Sequence, residues 1–510
     1  MSVHCDHGAK RRGSAYKESR VHGVESIIDA LTAAEYTTDA VMERIGEAGQ
    51  RALNRNSTIA SDRAVGETDD PLATLIRLFI LQQPLDVARV AEALPVEDAV
   101  AAGLVARDGE QIRALIDVRP YSSDDGTRAW IVSDLTCGLD TPPPPMTEDY
   151  VLGLSPASTQ LTQLMVPGRF DAALDLGSGC GIQSVHLAQR AERVVATDLN
   201  PRANALAGLT FELNGLEVEQ RLGSLYEPVA GERFDLIVTN PPYVMSPPSE
   251  SRLTYREGVF TADGLVHHIV ANCADHLNPG GVLQVLGNWA ILDPDRWAER
   301  LTEWIPAGCD ALIIERERLD PYEYIEIWLT DAGLAGSEDF VPRYRQWLEY
   351  FDRLGITEVG MGWINVRNSG AAIPEVRVES WPHAVQQPVG PAIAEWFDAV
   401  TLLRGRGDDG VLDAHWTLAE GILQETLGEP GAADPNHIVF RQYRGLRRAI
   451  ETDTALAAVL GACDGELTPR QIIGAVAALL DADADALTKE LVPKLREAVI
   501  DGFLAKHASE

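Results

Sequence analysis

Residues 172–200 read AALDLGSGCGIQSVHLAQRAERVVATDLN, and the fold class follows from how the pattern changes along that stretch. Ala172 to Leu176 form a short apolar run, Gly177-Ser178-Gly179-Cys180-Gly181 breaks it, and a segment of helical period follows. Strand, glycine turn, helix is the order of a βα unit. Its backbone turns sharply where a Cβ would collide with a ligand, and the helix start offers unpaired N–H groups. A second apolar run, Val194 to Thr197, ends in Asp198, 21 positions after Gly177. A carboxylate at the carboxyl end of the next parallel strand is placed to accept hydrogen bonds from two ribose hydroxyls. Nicotinamide, flavin and S-adenosylmethionine sites share this order, and G-x-G-x-G departs from the dinucleotide fingerprint G-x-G-x-x-G.

The discriminating feature lies downstream. Phe234 to Thr239 reads as another buried strand and ends in Asn240-Pro241-Pro242-Tyr243. With DLGSGCG, TDLN and NPPY in order at the ends of the first, second and fourth strands, residues 150 to 370 resemble the class I S-adenosylmethionine-dependent methyltransferases of the NPPY subgroup. That group methylates nitrogen conjugated to a π-system and includes release-factor glutamine methyltransferases and RNA guanine and adenine methyltransferases. The resemblance implies a seven-stranded Rossmann-like α/β core, mostly parallel with an antiparallel last strand, and S-adenosylmethionine as cofactor. It also implies roles. Gly177, Ser178, Gly179 and Gly181 pass beneath the methionine moiety, Asp175 orients its ammonium, and Asp198 takes the ribose with Leu199 against the adenine. Related chains carry a Gly-Asp pair after the third strand that contacts the adenine amine; here Gly223-Ser224 stands there, a hydroxyl that can hydrogen-bond but carries no charge, and Ser224 and Leu225 are counted among the cofactor-binding candidates. No metal is called for.

An amide or aniline-type nitrogen is a weak nucleophile because its lone pair is delocalised. Asn240 answers this if its side-chain oxygen accepts one N–H while the Pro241 carbonyl accepts the other. Pro241 and Pro242 stiffen the backbone so that this carbonyl points outward, and Tyr243 supplies a flat wall for a planar group. The segment Tyr255 to Gly258 and Asp263-Gly264-Leu265 resemble the glutamine enzymes, so a protein glutamine side chain is the expected acceptor. An exocyclic amine of RNA is the alternative, and a catalytically idle binding scaffold is a third reading.

Composition bears on that choice. Lys+Arg 43 against Asp+Glu 77 gives a net charge of −34, a field that repels phosphate backbones. The only dense basic group in the folded part is Arg441, Arg444, Arg447 and Arg448, read as a solvated helix face or an anion contact. The six cysteines are scattered without a C-x-x-C pair, and no apolar run is long enough for a bilayer. A cytoplasmic protein with reduced thiols and no membrane contact is expected.

The chain divides into a tail over 1–20, a helical, winged-helix-like domain over 21–140, the methyltransferase domain over 141–370 and a mainly helical domain over 371–510. Thr141 to Pro145 is a stiff polyproline linker. Two helical patterns over 318–354 form an insertion before the seventh strand, expected at 356–367. Ser158 and Thr159 are either cofactor neighbours or helix-cap residues.

Overall fold

The computed structural model describes residues 23–141, 147–248, 260–430 and 435–507. The expected tail over 1–20, the prolines 142–145 and the segment 255–258 lie outside the described residues.

The centre is a single eight-stranded sheet. Its strands are β1 (Phe170–Leu176), β2 (Ala191–Asp198), β3 (Glu219–Leu222), β4 (Phe234–Thr239), β5 (Leu277–Ile291), β6 (Cys309–Leu319), β7 (Glu358–Asn368) and β8 (Val376–Ser380). In space they run β8-β6-β7-β5-β4-β1-β2-β3. All neighbours pair parallel except β7, which is antiparallel to both β5 and β6. The order reverses between β1 and β4, and in doubly wound sheets the crevice at that switch point holds the ligand. The expected count was seven; Val376–Ser380 adds an eighth by pairing with β6 from Ala311↔Val376 to Glu315↔Ser380.

The strands read as near-continuous apolar runs because both faces are covered. Leu174, Ile237 and Ile313 point into one cluster, and their neighbours Ala173, Leu236, Val238, Leu312 and Ile314 point into the other. Each such Leu or Ile, once fully buried, contributes about 1.5–3 kcal/mol. One face is packed by Leu161 and Leu164 of α1 (Pro156–Leu164) together with C-terminal residues such as Ile393, Trp396 and Phe397. The opposite face takes Leu265, Val266 and Ile269. The C-terminal region thus seals the sheet.

The N-terminal region is bound just as closely. Its core runs without a break from Ile27 and Phe79 into Cys180, Ile182, Val185 and Leu206, which belong to α2 (Ile182–Leu187), its preceding turn and α3 (Pro201–Leu213). Within it, Val87–Ala91 and Val96–Ala101 are helices leading into the hairpin Val105–Asp108 and Gln111–Ala114. Leu85–Asp86 is a two-residue strand on that hairpin.

Between β6 and β7 lie α4 (Pro321–Asp331) and α5 (Phe340–Leu354). Asp320 caps the first through the Glu323 N–H with Pro321 at its first position, and Gly355 ends the second in a left-handed conformation.

The C-terminal region holds the helices Gly390–Leu403, Pro469–Leu479 and Ala484–Ile500, and strands besides. Ile422–Leu427, His437–Gln442 and Ala449–Thr452 form a three-stranded antiparallel sheet, and Trp416–Leu418 pairs with Leu504–Lys506. The arginine cluster is not a helix face. Arg441 is on a strand paired to Glu425, Arg444 meets Glu395, and Arg448 is held by Glu379 and Asp501, so its charge is already matched. No helix among the described residues is long and apolar enough to cross a membrane.

Candidate active site

A cavity of about 400 Å³ opens at the carboxyl ends of β1, β2 and β4, within the range of small-molecule sites. The glycine loop forms its floor. Gly177, Gly179 and Gly181 have φ of +79°, +53° and +84°, a region closed to most side chains. The N–H groups of Gly177 and Ser178 both donate to the Thr197 carbonyl, at 2.8 and 2.9 Å, which ties the loop to β2. A Cβ on Gly177 or Gly179 would meet nothing within 4 Å, because these residues face the opening. A Cβ on Gly181 would lie 2.7 Å from the Phe211 ring, so Gly181 serves helix packing.

Asp198 stands beside that loop. Its Oδ2 accepts the Gly179 N–H at 2.9 Å and its Oδ1 the Asn200 N–H at 2.8 Å. Burial raises its pKa, and the backbone N–H groups of Asn200, Gly179 and Leu199 oppose that rise. Each oxygen keeps a further lone pair, the pairing a ribose diol requires.

Ten of the thirteen residues expected in the site line this cavity: Gly177, Ser178, Gly179, Asp198, Leu199, Ser224, Leu225, Asn240, Pro241 and Pro242. Leu199 is 55% exposed at the rim, and Leu225 is held at φ +48°. Three are not brought to the cavity. Gly181 sits behind the loop. Asp175 is buried beneath it, where its Oδ2 accepts the N–H and hydroxyl of Ser184 at 2.9 and 2.7 Å. Burial pushes its pKa up to about 7, against the Ser184 hydrogen bonds. It anchors the start of α2 and is not part of the cavity lining. Tyr243 packs edge-to-face on Trp328 of α4, with centroids 6.3 Å apart, so it braces the insertion instead of forming a wall. Ser158 lines the cavity and also closes a capping box with Ser155.

Sequence reading missed other lining residues, among them Glu148, Tyr150, Gln183, Thr197 and Phe260. Gln183 was readable in retrospect as a polar residue on a helix start whose neighbours are buried; its Nε2 donates to the Ser158 carbonyl at 2.9 Å. Phe260 carried no local signal. Three buried polar atoms on the lining have no hydrogen-bond partner among the described residues: Gln183 Oε1, Thr197 Oγ1 and Asn240 Oδ1. Such atoms are costly unless something completes them. The charged side chains on the lining, among the described residues, are Glu148 and Asp198. A lining of that sign suits a cation and would repel a pyrophosphate.

Fold and site together define an α/β domain of the methyltransferase class. Residues 153–296 match the family described as "Methyltransferase small domain", so the chain carries that domain. Residues 33–115 and 394–506 match two families described as domains of unknown function, DUF7059 and DUF7782. The chain is 40% identical over 125 residues to a release factor glutamine methyltransferase of Geobacter sulfurreducens, covering 22% of this chain and 44% of that relative. It is 30% identical over 138 residues to a ribosomal RNA small subunit methyltransferase C of Erwinia tasmaniensis, covering 27% and 36%. Both matches span less than half of the relative's own length. Among solved structures, a T. thermophilus 16S rRNA methyltransferase in complex with AdoMet and guanosine is similar at 21% identity, covering 46% of this chain and 62% of that one, with a TM-score of 0.25.

Proposed function

We propose that the protein is an S-adenosylmethionine-dependent N-methyltransferase acting on a planar amide nitrogen, most simply a protein glutamine side chain. The observation that carries this reading is Asn240 Oδ1, a buried acceptor at the cavity with no partner among the described residues. A carboxamide NH₂ would complete it, with Pro241 and Pro242 beside it on the same lining.

The residues present fit the cofactor. Asp198 offers paired acceptors for a ribose diol, and the open sides of Gly177 and Gly179 leave room for a chain passing over them. Gln183 Oε1 and Thr197 Oγ1 are further unfilled positions, and the acid-only lining suits a ligand carrying a sulfonium and an ammonium. Bound there, S-adenosylmethionine supplies an electrophilic methyl group. The chain's own part is to hold the acceptor nitrogen about 3 Å from that carbon, in line with the bond that breaks. Asn240 Oδ1 takes one N–H and the Pro241 carbonyl the other, which fixes the NH₂ plane and stabilises positive charge on nitrogen as the bond forms. The proton then leaves an acidic cationic nitrogen, so no dedicated base is needed.

The similarity to a ribosomal RNA methyltransferase supports a second reading, an exocyclic base amine, which presents the same flat NH₂ to Asn240. Incubating cell extract with the protein and tritiated S-adenosylmethionine, then digesting with protease or ribonuclease, separates the two. Label released by protease is the expected result. Label lost only to ribonuclease transfers the assignment to RNA, and no label with intact cofactor binding favours a binding scaffold.

A further inference from the structure

We infer that Tyr324 of α4 and Tyr350 of α5 are positioning residues for the methyl acceptor, holding the chain that leaves Asn240 and the chain that follows Phe260; this rests on the methyl-transfer reading above. Five residues beyond Asn240, the Met245 N–H donates to Tyr324 Oη at 2.9 Å. That oxygen also accepts from Asn288 Nδ2 of β5 at 2.7 Å. On the other side, the Ala262 N–H donates to Tyr350 Oη at 2.9 Å. Ala262 lies two residues after Phe260, which lines the cavity, and immediately before Asp263. The Asp263 carboxylate is fixed by Arg300 and by the Ala290 N–H.

Three features argue for a device aimed at the site. Both hydroxyls are buried, with Tyr324 0% and Tyr350 3% exposed, and each reaches its amide across 79 or 88 residues of chain. Ala262 is held at φ +49°, a left-handed conformation that a non-glycine residue keeps only where its surroundings enforce it, and such residues gather at functional sites. The insertion's own apolar cluster takes in Val244 and Met245 along with Tyr324 and Tyr350, with Ala262 packed against it. The chain leaving Asn240 is thereby embedded in the two helices. Since in-line transfer tolerates little misplacement, a clamp at Met245 and Ala262 controls how the acceptor meets the methyl group while leaving the glycine-loop half untouched.

The test uses the full-length protein with Tyr324→Phe and Tyr350→Phe, which remove only the hydroxyls. Tyr344→Phe is the control, because its hydroxyl bonds Glu326 and so joins the insertion helices to each other only. Hydrogen exchange should speed up about tenfold at Met245 in the first variant and at Ala262 in the second, the effect of one lost hydrogen bond. S-adenosylhomocysteine binding by calorimetry should stay within about twofold in all three, as expected for distant sites. Tritium transfer into extract protein should fall about tenfold or more in the first two variants, with the loss in its dependence on extract concentration, and stay unchanged in the control. Unchanged exchange at the two amides, unchanged transfer, or a matching loss of S-adenosylhomocysteine affinity would each overturn the proposal. A wild type that transfers no label counts against the methyl-transfer reading itself, and exchange at Met245 and Ala262 then still decides whether the clamp exists.

Discussion

The half of the cavity proposed for the cofactor is drawn mainly from one contiguous stretch, residues 175–200, whose loop amides bond to the Thr197 carbonyl and the Asp198 carboxylate. The half proposed for the acceptor holds Asn240, and beyond it tyrosines of an insertion bind the Met245 and Ala262 amides across 79 and 88 residues of chain. One half is fixed by local chain geometry and the other by tertiary packing. The difference teaches that a loop can be held by a short motif, whereas the chain beyond Asn240 is held by whatever packs behind it.

The largest expected effect separates the halves. Asn240→Ala should lower turnover about a hundredfold or more while leaving cofactor affinity intact, as for other lost orienting groups in transition-state stabilisation. Comparable turnover in mutant and wild type, read from initial rates of label transfer, would remove Asn240 from the chemistry. Asp198→Ala should act in the opposite sense. Losing charge-assisted hydrogen bonds should weaken S-adenosylmethionine binding about tenfold to a hundredfold in a calorimetric titration. An unaltered dissociation constant would place the nucleoside elsewhere.

A smaller effect tests the loop as a packing element. Gly181→Ala places a Cβ against Phe211 at a positive φ, and should cost about 1–3 kcal/mol of stability. Chemical denaturation checks it, and a neutral result would mean that the loop relaxes freely. The smallest effect concerns Asp175. Its folded pKa, raised to about 7, lies above the ordinary carboxyl value, so its contribution is full below about pH 4 and is lost as pH rises through 7. Asp175→Asn should therefore shrink the fall in melting temperature between pH 5 and pH 8 by about 2–6 °C. An unchanged fall would show Asp175 ionised in its bonds to Ser184.

Legibility in the sequence followed the same division. Phe234–Thr239 was readable to the residue because a continuous apolar strand abuts Asn240-Pro241. The order of Gly177 and Asp198 likewise located the cavity. Asp175 and Tyr243 misled, since a motif reports that a residue stands near a site but not which way its side chain turns. Ser184 and Trp328 decided those two orientations. Ile422–Leu427 was invisible for another reason: its residues are almost all exposed, so no apolar alternation marks it as a strand. Leu85–Asp86 is too short to carry any period.

The central claim is that the opening over Gly177 and Gly179 takes S-adenosylmethionine through Asp198. Isothermal titration of the purified full-length protein with S-adenosylmethionine tests it most directly. One-to-one binding by wild type, markedly weakened in Asp198→Ala, is the predicted result; no heat of binding from either protein would contradict it.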